Sequence, residues 1–237
     1  MKPNRDYYDE FADRYEDARH AGYHALIDRL EVELVRRYGN DARVLEAGCG
    51  TGLVLEKVAR FAREAVGIDL SRGMLQKAIG RGLRVANASI THLPFADASF
   101  DVAYSFKVLA HIEAIGDALR EMARVVRPGG HVLAEFYNTR SLRYLVKRLK
   151  PATPISDATT DEAVFTRYDS IGDIVGYLPP DLELVDQRGV RIFTPVSYLH
   201  QVPVLGEALG ALETLAADAP FLSGLGGFLI VVLRKKP

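Results

Sequence analysis

The chemistry-bearing stretch of this chain is Val44-Leu45-Glu46-Ala47-Gly48-Cys49-Gly50-Thr51-Gly52. Apolar residues run into three alternating glycines, and a helical pattern opens at Leu53. Glycines permit positive φ and let a ligand approach the backbone, and a helix start offers unpaired N–H groups. That combination is a nucleotide-type site. The dinucleotide fingerprint G-x-G-x-x-G needs a glycine at position 53, where Leu53 stands. A P-loop needs Gly-Lys-Ser/Thr, and Gly52-Leu53-Val54 does not supply it. What remains is E-x-G-x-G-x-G from Glu46 to Gly52, with Asp69 closing the next apolar run.

Other candidate groups are few. Cys49 lies between two of the glycines, either as a thiol activated by the helix start or as a small side chain that fits. His111 is either a general base or a histidine bonded to a backbone carbonyl. His200 either faces a substrate or lies in a solvated loop. No paired-cysteine or His-x-x-x-His spacing is present, so no metal is expected.

Elements to position these groups follow from the pattern. Helices are expected over about 6–18, with Tyr7, Tyr8, Phe11 and Tyr15 interleaved among charges, and over about 23–38. Strands are expected at 43–46, 65–69, 83–87, 100–105 and 131–137, alternating with helices at 53–61, after Ser71, and at 115–126. Arg127-Pro128-Gly129-Gly130 reads as a turn. Beyond Tyr137 come an amphipathic segment at 141–150, a loop at 151–160, a helix at 169–178 and strands at 182–193 and 228–233. Alternating strands and helices predict an α/β fold: a Rossmann-like, seven-stranded, mostly parallel sheet with helices on both faces. A single domain spanning 1–237 is expected. It has N-terminal helices at 5–39 as a lid, a core at 42–137 and 169–237, and cap insertions at about 138–168 and 195–225.

The glycine motif resembles the first motif of class I S-adenosylmethionine-dependent methyltransferases. Leu93-Pro94-Phe95-Ala96-Asp97-Ala98-Ser99-Phe100-Asp101 resembles the L-P-F segment of small-molecule members of the ubiquinone/menaquinone-biosynthesis kind. Val125-Val126-Arg127-Pro128-Gly129-Gly130 resembles the turn before their fifth strand, and Tyr8-Asp9 and Tyr15-Glu16 resemble their lid pairs. The resemblance runs from about residue 8 to 137. It implies S-adenosyl-L-methionine as cofactor and S-adenosyl-L-homocysteine as product. Gly48, Cys49, Gly50 and Gly52 would wall the ligand, Glu46 would face its ammonium group, and Asp69 would accept from both ribose hydroxyls. Leu70, Met74 and Ile90 would hold the adenine, Phe106 the methionine portion, and Tyr8 and Tyr15 the lid side. Met74 is equally readable as core. The family usually has an aspartate at the position of Ser89. A serine carries no charge, so Ile90 would carry more of that edge, with Asn87 a rival in a shifted register.

Composition bounds the rest. The chain has 237 residues, 48% hydrophobic and 26% charged, with a net charge of -1 and a single cysteine. No general attraction to nucleic acid is expected, no apolar run reaches membrane-spanning length, and the reading is a cytoplasmic protein. Oligomeric state is not readable. Arg140, Arg143, Lys147 and Lys150 fall at near-helical spacing, as a solvated face or as a site for a carboxylate, a phosphate or a membrane surface. The apolar second insertion suggests a small hydrophobic acceptor methylated at oxygen, nitrogen or carbon. Protein or RNA methylation and non-catalytic cofactor binding are the alternatives.

Overall fold

The computed structural model describes residues 9, 12, 22–149, 154–156, 159–160, 165–202 and 204–237, with 154–156 and 159–160 as backbone. Tyr7, Tyr8, Phe11, Tyr15 and Lys150 lie outside the described residues. Helix α1 (Tyr23–Gly39) precedes β1 (Arg43–Ala47), α2 (Leu53–Val58), β2 (Glu64–Asp69), α3 (Arg72–Gly80) and β3 (Arg84–Asn87). Then come β4 (Phe100–Ser105), α4 (Ile115–Val125), β5 (Val126–Tyr137) and α5 (Leu142–Leu149). The short strands β6 (Pro154–Ser156) and β7 (Thr159–Thr160) follow, then α6 (Ile171–Tyr177), β8 (Leu182–Val190), α7 (Leu205–Ala216) and β9 (Phe228–Lys235). Seven strands form one sheet in the order β3-β2-β1-β4-β5-β9-β8. The first five are parallel, and β9 is antiparallel to both β5 and β8.

Side-chain alternation splits the core into two layers. Leu45, Ala103, Val132, Ala134, Leu229 and Val231 face one side, where α4 lies on its stripe of Ile115, Ala118, Leu119 and Met122. Val44, Val102, Tyr104, Leu133, Ile230 and Val232 face the other, covered by Ile27, Leu30, Leu34 and Val35 of α1. Glu46, Glu135 and Tyr137 share this second parity, so the alternation aims them toward the α1 side. Ser71 caps α3 as expected, its Oγ accepting from Met74 N at 3.1 Å.

Four expectations need correction. Arg127–Gly130 is not a free turn but the opening of β5, where the register with β4 skips between Phe100 and Val102. A glycine-bearing bulge lets the chain keep its ladder there. The segment expected as a loop at 151–160 contains the antiparallel pair β6–β7. Strand β8 stops at Val190 because Arg191 turns to a φ of +65°. In α5 the apolar residues Leu142, Leu145 and Leu149 are exposed, whereas Arg143 is only partly exposed and its guanidinium stacks on aromatic rings. Among the described residues, no helix is long and apolar enough to cross a membrane.

The segment between β8 and β9 is fastened by two carboxylates. Glu213 of α7, fully buried, accepts from Ile192 N at 2.7 Å, Phe193 N at 2.9 Å and Thr194 Oγ1 at 2.8 Å. Asp218 accepts twice from Arg188, at 2.7 and 2.6 Å, and also pairs with Arg37. Replacing Glu213 with alanine strands two backbone N–H groups in the interior. The expected cost is about 2–4 kcal/mol in urea unfolding. A loss under about 0.5 kcal/mol would show that the segment is not anchored there.

Candidate functional site

The site is built where β1 and β2 end. Gly48 N and Cys49 N both donate to Ile68 O at 2.8 Å, and Gly50 N donates to Asp69 Oδ2 at 2.8 Å. Three successive N–H groups are thereby pinned to the end of the neighbouring strand. The turn needs φ values of +88°, +53° and +84° at Gly48, Gly50 and Gly52. At Gly48 a Cβ would also meet Val108 Cγ2 at 2.4 Å, so the turn rests against the segment after β4. At Gly50 a Cβ would meet nothing within 4 Å. The strained conformation there faces open space, as a ligand-facing cradle requires.

Asp69 is held from two directions. Its Oδ2 takes Gly50 N and its Oδ1 takes Ser71 N, both at 2.8 Å. Each oxygen retains a lone pair for an incoming donor. Burial raises the Asp69 pKa, opposed by these N–H bonds. Asp9 stands beside it, accepting from Ser71 Oγ at 2.5 Å and Gly73 N at 2.9 Å.

The flanking residues divide. Leu70, next to Asp69, exposes 44% of its surface and offers an apolar plate. Met74 and Ile90 are buried and pack behind the wall. Ser89 Oγ is engaged locally with Thr91 Oγ1 at 2.8 Å. Asn87 spends its amide on Asp69 O and Leu70 O, both at 2.9 Å, which makes it a brace of the β2 end. Cys49 is buried against Gly67, and burial raises its thiol pKa far above the usual range. A buried, protonated thiol is a poor nucleophile, which favours the small side chain that fits.

Glu46 sits in an acidic cluster that the sequence reading did not find. Tyr104 Oη donates to Glu46 Oε2 at 2.9 Å. Asp28 and Glu31 of α1 and Glu135 of β5 are also buried. Lys107 ties them together: its Nζ lies 2.6 Å from Glu31 and 3.5 Å from Asp28, and its N donates to Glu135 Oε1 at 2.9 Å. Lys57 reaches Asp28 at 2.8 Å. Burial drives the pKa of Glu46 well up, against the Tyr104 hydrogen bond. Burial likewise raises Glu31 and Glu135, whose carboxyls meet each other. Among the described residues Glu31 Oε1 and Glu135 Oε2 have no hydrogen-bond partner, a need that one shared proton would meet. The missed signal was the parity of Glu135 with Glu46 across two strands, together with acids at positions 28 and 31 on one helix face.

Beyond the ends of β4 and β5 lies an aromatic group. Phe106 is buried with its ring 5.0 Å from that of Tyr104. His111 packs edge-on against Tyr137 at 5.7 Å, and its Nδ1 lies 2.8 Å from Phe165 O. A ring nitrogen beside a carbonyl carries the proton, so Nε2 is the basic atom. Burial lowers the His111 pKa, with the Phe165 bond opposing and Arg143 and Lys147 lowering it further. Burial thus favours the neutral imidazole. His200 is not a solvated loop residue: its ring lies 5.4 Å from Tyr23, and its Nε2 lies 2.9 Å from Thr194 Oγ1. Among the described residues, no group of three or more His, Cys, Asp or Glu is arranged to hold a metal ion.

Residues 45–134 match the family profile described as a methyltransferase domain. The chain is 38% identical over 133 residues to a malonyl-[acyl-carrier protein] O-methyltransferase of Erwinia pyrifoliae, covering 53% of this chain and 50% of that one. It is 36% identical over 110 residues to a ubiquinone biosynthesis O-methyltransferase of Alkalilimnicola ehrlichii, covering 44% of each. The chain thus spans about half the length of these curated relatives. Its fold is similar to that of a SAM-dependent methyltransferase of Thermotoga maritima, with a TM-score of 0.72, 21% identity, and coverage of 97% of this chain and 98% of that one.

The acidic cluster sets a pH dependence. Raised folded-state pKa values mean that the neutral carboxyls suit the fold. Their contribution is complete below the unfolded carboxylate pKa of about 4.3 and declines as pH rises toward the folded value. Glu135→Gln cannot ionise. Its stability relative to wild type is expected to increase from pH 5 to pH 8 by about 1 kcal/mol or more, read from urea titrations. A difference that shrinks with pH would contradict the assignment.

Proposed function

We propose that this chain, whose residues 45–134 match the methyltransferase domain, is a class I S-adenosylmethionine-dependent methyltransferase, and that the whole protein transfers a methyl group to a small, partly apolar metabolite. The observation that carries this reading is the clamp at the end of β2. Asp69 is fixed by two N–H groups with a lone pair left on each oxygen, beside a positive-φ glycine that faces open space. A vicinal diol fits the two remaining acceptor positions. The open part of the surface is Gly50 beside Asp69, with Leu70 exposed next to it; Gly48, Gly52, Glu46 and Phe106 are proposed to complete the cofactor site around it. Met74, Ser89, Ile90 and Cys49 back this surface. Tyr8 and Tyr15 remain proposed lid residues.

The cofactor supplies an activated methyl on a sulfonium, whose sulfur leaves neutral with the C–S electron pair, so no acid is required. The protein's work is to position and exclude water. The buried acids Glu46, Glu31, Glu135 and Asp28 favour a ligand with cationic groups in this region. Where the acceptor is a hydroxyl, His111 Nε2 takes its proton. The segments 138–168 and 195–225 are assigned as the cap that chooses the acceptor. Relatives named for a carrier-bound malonyl group and for ubiquinone biosynthesis support an O-linked chemistry.

Calorimetry with S-adenosyl-L-methionine and S-adenosyl-L-homocysteine tests this. Wild type is expected to bind both, and Asp69→Ala to bind at least about tenfold more weakly, as loss of a charged acceptor predicts. In turnover with a hydroxyl acceptor, His111→Asn should lower kcat by about 100-fold or more with the cofactor KM near wild type. Absence of cofactor binding by wild type would end the proposal.

A further inference from the structure

Two arginines at and beside the cap have no acid among the described residues to answer them. Arg143 of α5 stacks its guanidinium 4.2 Å from the Tyr137 ring centroid and 4.8 Å from that of Phe228. Arg191 lies 5.3 Å from the Tyr23 ring centroid. Both side chains pass over Gly227: a Cβ built there would meet Arg191 Cδ at 3.2 Å and Arg143 Cβ at 3.3 Å. Among the described residues neither arginine makes an ion pair, although Arg191 donates to Thr194 O at 2.8 Å and Pro195 O at 2.7 Å. Arg143 Nη1 is shut off from solvent without a partner. So are the hydroxyls of Tyr23 and Tyr168. The Tyr168 ring stands 5.6 Å from that of Tyr137, and Lys147 Nζ lies 5.5 Å from its centroid.

Buried donors left unpaired are costly, and native proteins leave few of them. Here Arg143 Nη1, Tyr23 Oη and Tyr168 Oη have no acceptor among the described residues, around two cations that repel one another. Ring stacking offsets part of the arginine desolvation but accepts no N–H bond. What the group lacks is an acceptor with negative charge and several lone pairs, a description that fits a carboxylate. The group also borders the proposed transfer site, since Tyr137 closes β5 and touches His111.

We propose that Arg143 and Arg191, with Tyr23 and Tyr168, form a pocket for a carboxylate on the methyl acceptor, so that the substrate class is an organic acid with an apolar or aromatic body. This rests on the methyltransferase reading above for the word acceptor, but not for the pocket itself. The rings of Tyr137, Tyr168 and Phe228, packed on one another, provide the environment for that body.

The test uses the full chain with and without S-adenosyl-L-homocysteine. Benzoate, benzamide and benzylamine serve as probes, titrated by ligand-observed NMR. Benzoate is expected to bind at least about tenfold more tightly than its neutral and cationic counterparts, because only it satisfies the charged donors. Arg143→Gln and Arg191→Gln should each weaken benzoate about tenfold, and Tyr168→Phe, which keeps the ring and so the packing, about threefold. The affinity for S-adenosyl-L-homocysteine should be unchanged in all three. Equal binding of the three probes, no benzoate binding, or variants that bind benzoate like wild type would overturn the proposal. Benzoate bound through Arg143 by a protein that fails to take S-adenosyl-L-homocysteine would uphold the pocket and overturn the cofactor reading. The reverse pattern would uphold the cofactor reading alone.

Discussion

The site depends on three successive N–H groups, of Gly48, Cys49 and Gly50, tied to Ile68 O and Asp69 Oδ2 at the end of one neighbouring strand. A backbone that satisfies itself this way must turn through left-handed φ at alternating residues, which glycine alone does without cost. The same tie fixes the carboxylate of Asp69 and sets Gly50 facing open space. Val108 packs into the hollow at Gly48 and so relates the segment after β4 to the turn. The proposed cofactor surface and acceptor region are thereby held in one frame.

The sheet's alternation supplies the second constraint. Because Glu46 and Glu135 share a parity on β1 and β5, they are delivered to the face that α1 covers with Asp28 and Glu31. Four buried acids against Lys107 and Lys57 would be an expensive arrangement if all were ionised. A proton shared between Glu31 and Glu135 would lower that cost. A cationic ligand near Glu46 would lower it further. The destabilised acids thus stand where the proposed chemistry needs negative potential, which is the common association of perturbed carboxyls with functional sites. On the cap side the imbalance reverses, with Arg143 and Arg191 facing no acid among the described residues.

The glycine turn, Asp69 and Ser71 were legible because their conformations demand particular residue types. The Leu93-Pro94-Phe95 segment was legible as a motif. Its physical role is visible only in three dimensions, where Arg124 donates to Leu93 O at 3.0 Å and Phe95 O at 2.8 Å. Arg143 was unreadable for a different reason. Helical spacing placed it in a basic run that resembles a solvated face. Which side of α5 faces Tyr137 and Phe228 depends on long-range docking that periodicity does not encode. The acids at 28, 31 and 135 belong to separate elements and meet only through topology. The turn at Arg127–Gly130 was misread because a glycine bulge and a free turn share one composition.

A crystal structure of the chain with S-adenosyl-L-homocysteine bound tests the central claim most directly. The account predicts the ribose hydroxyls on the two oxygens of Asp69, the glycine turn against the ligand at Gly50, and the sulfur open toward Phe106, His111 and Tyr137. A ligand that leaves Asp69 bonded only to Gly50 N and Ser71 N, or whose sulfur faces away from the ends of β4 and β5, would contradict it.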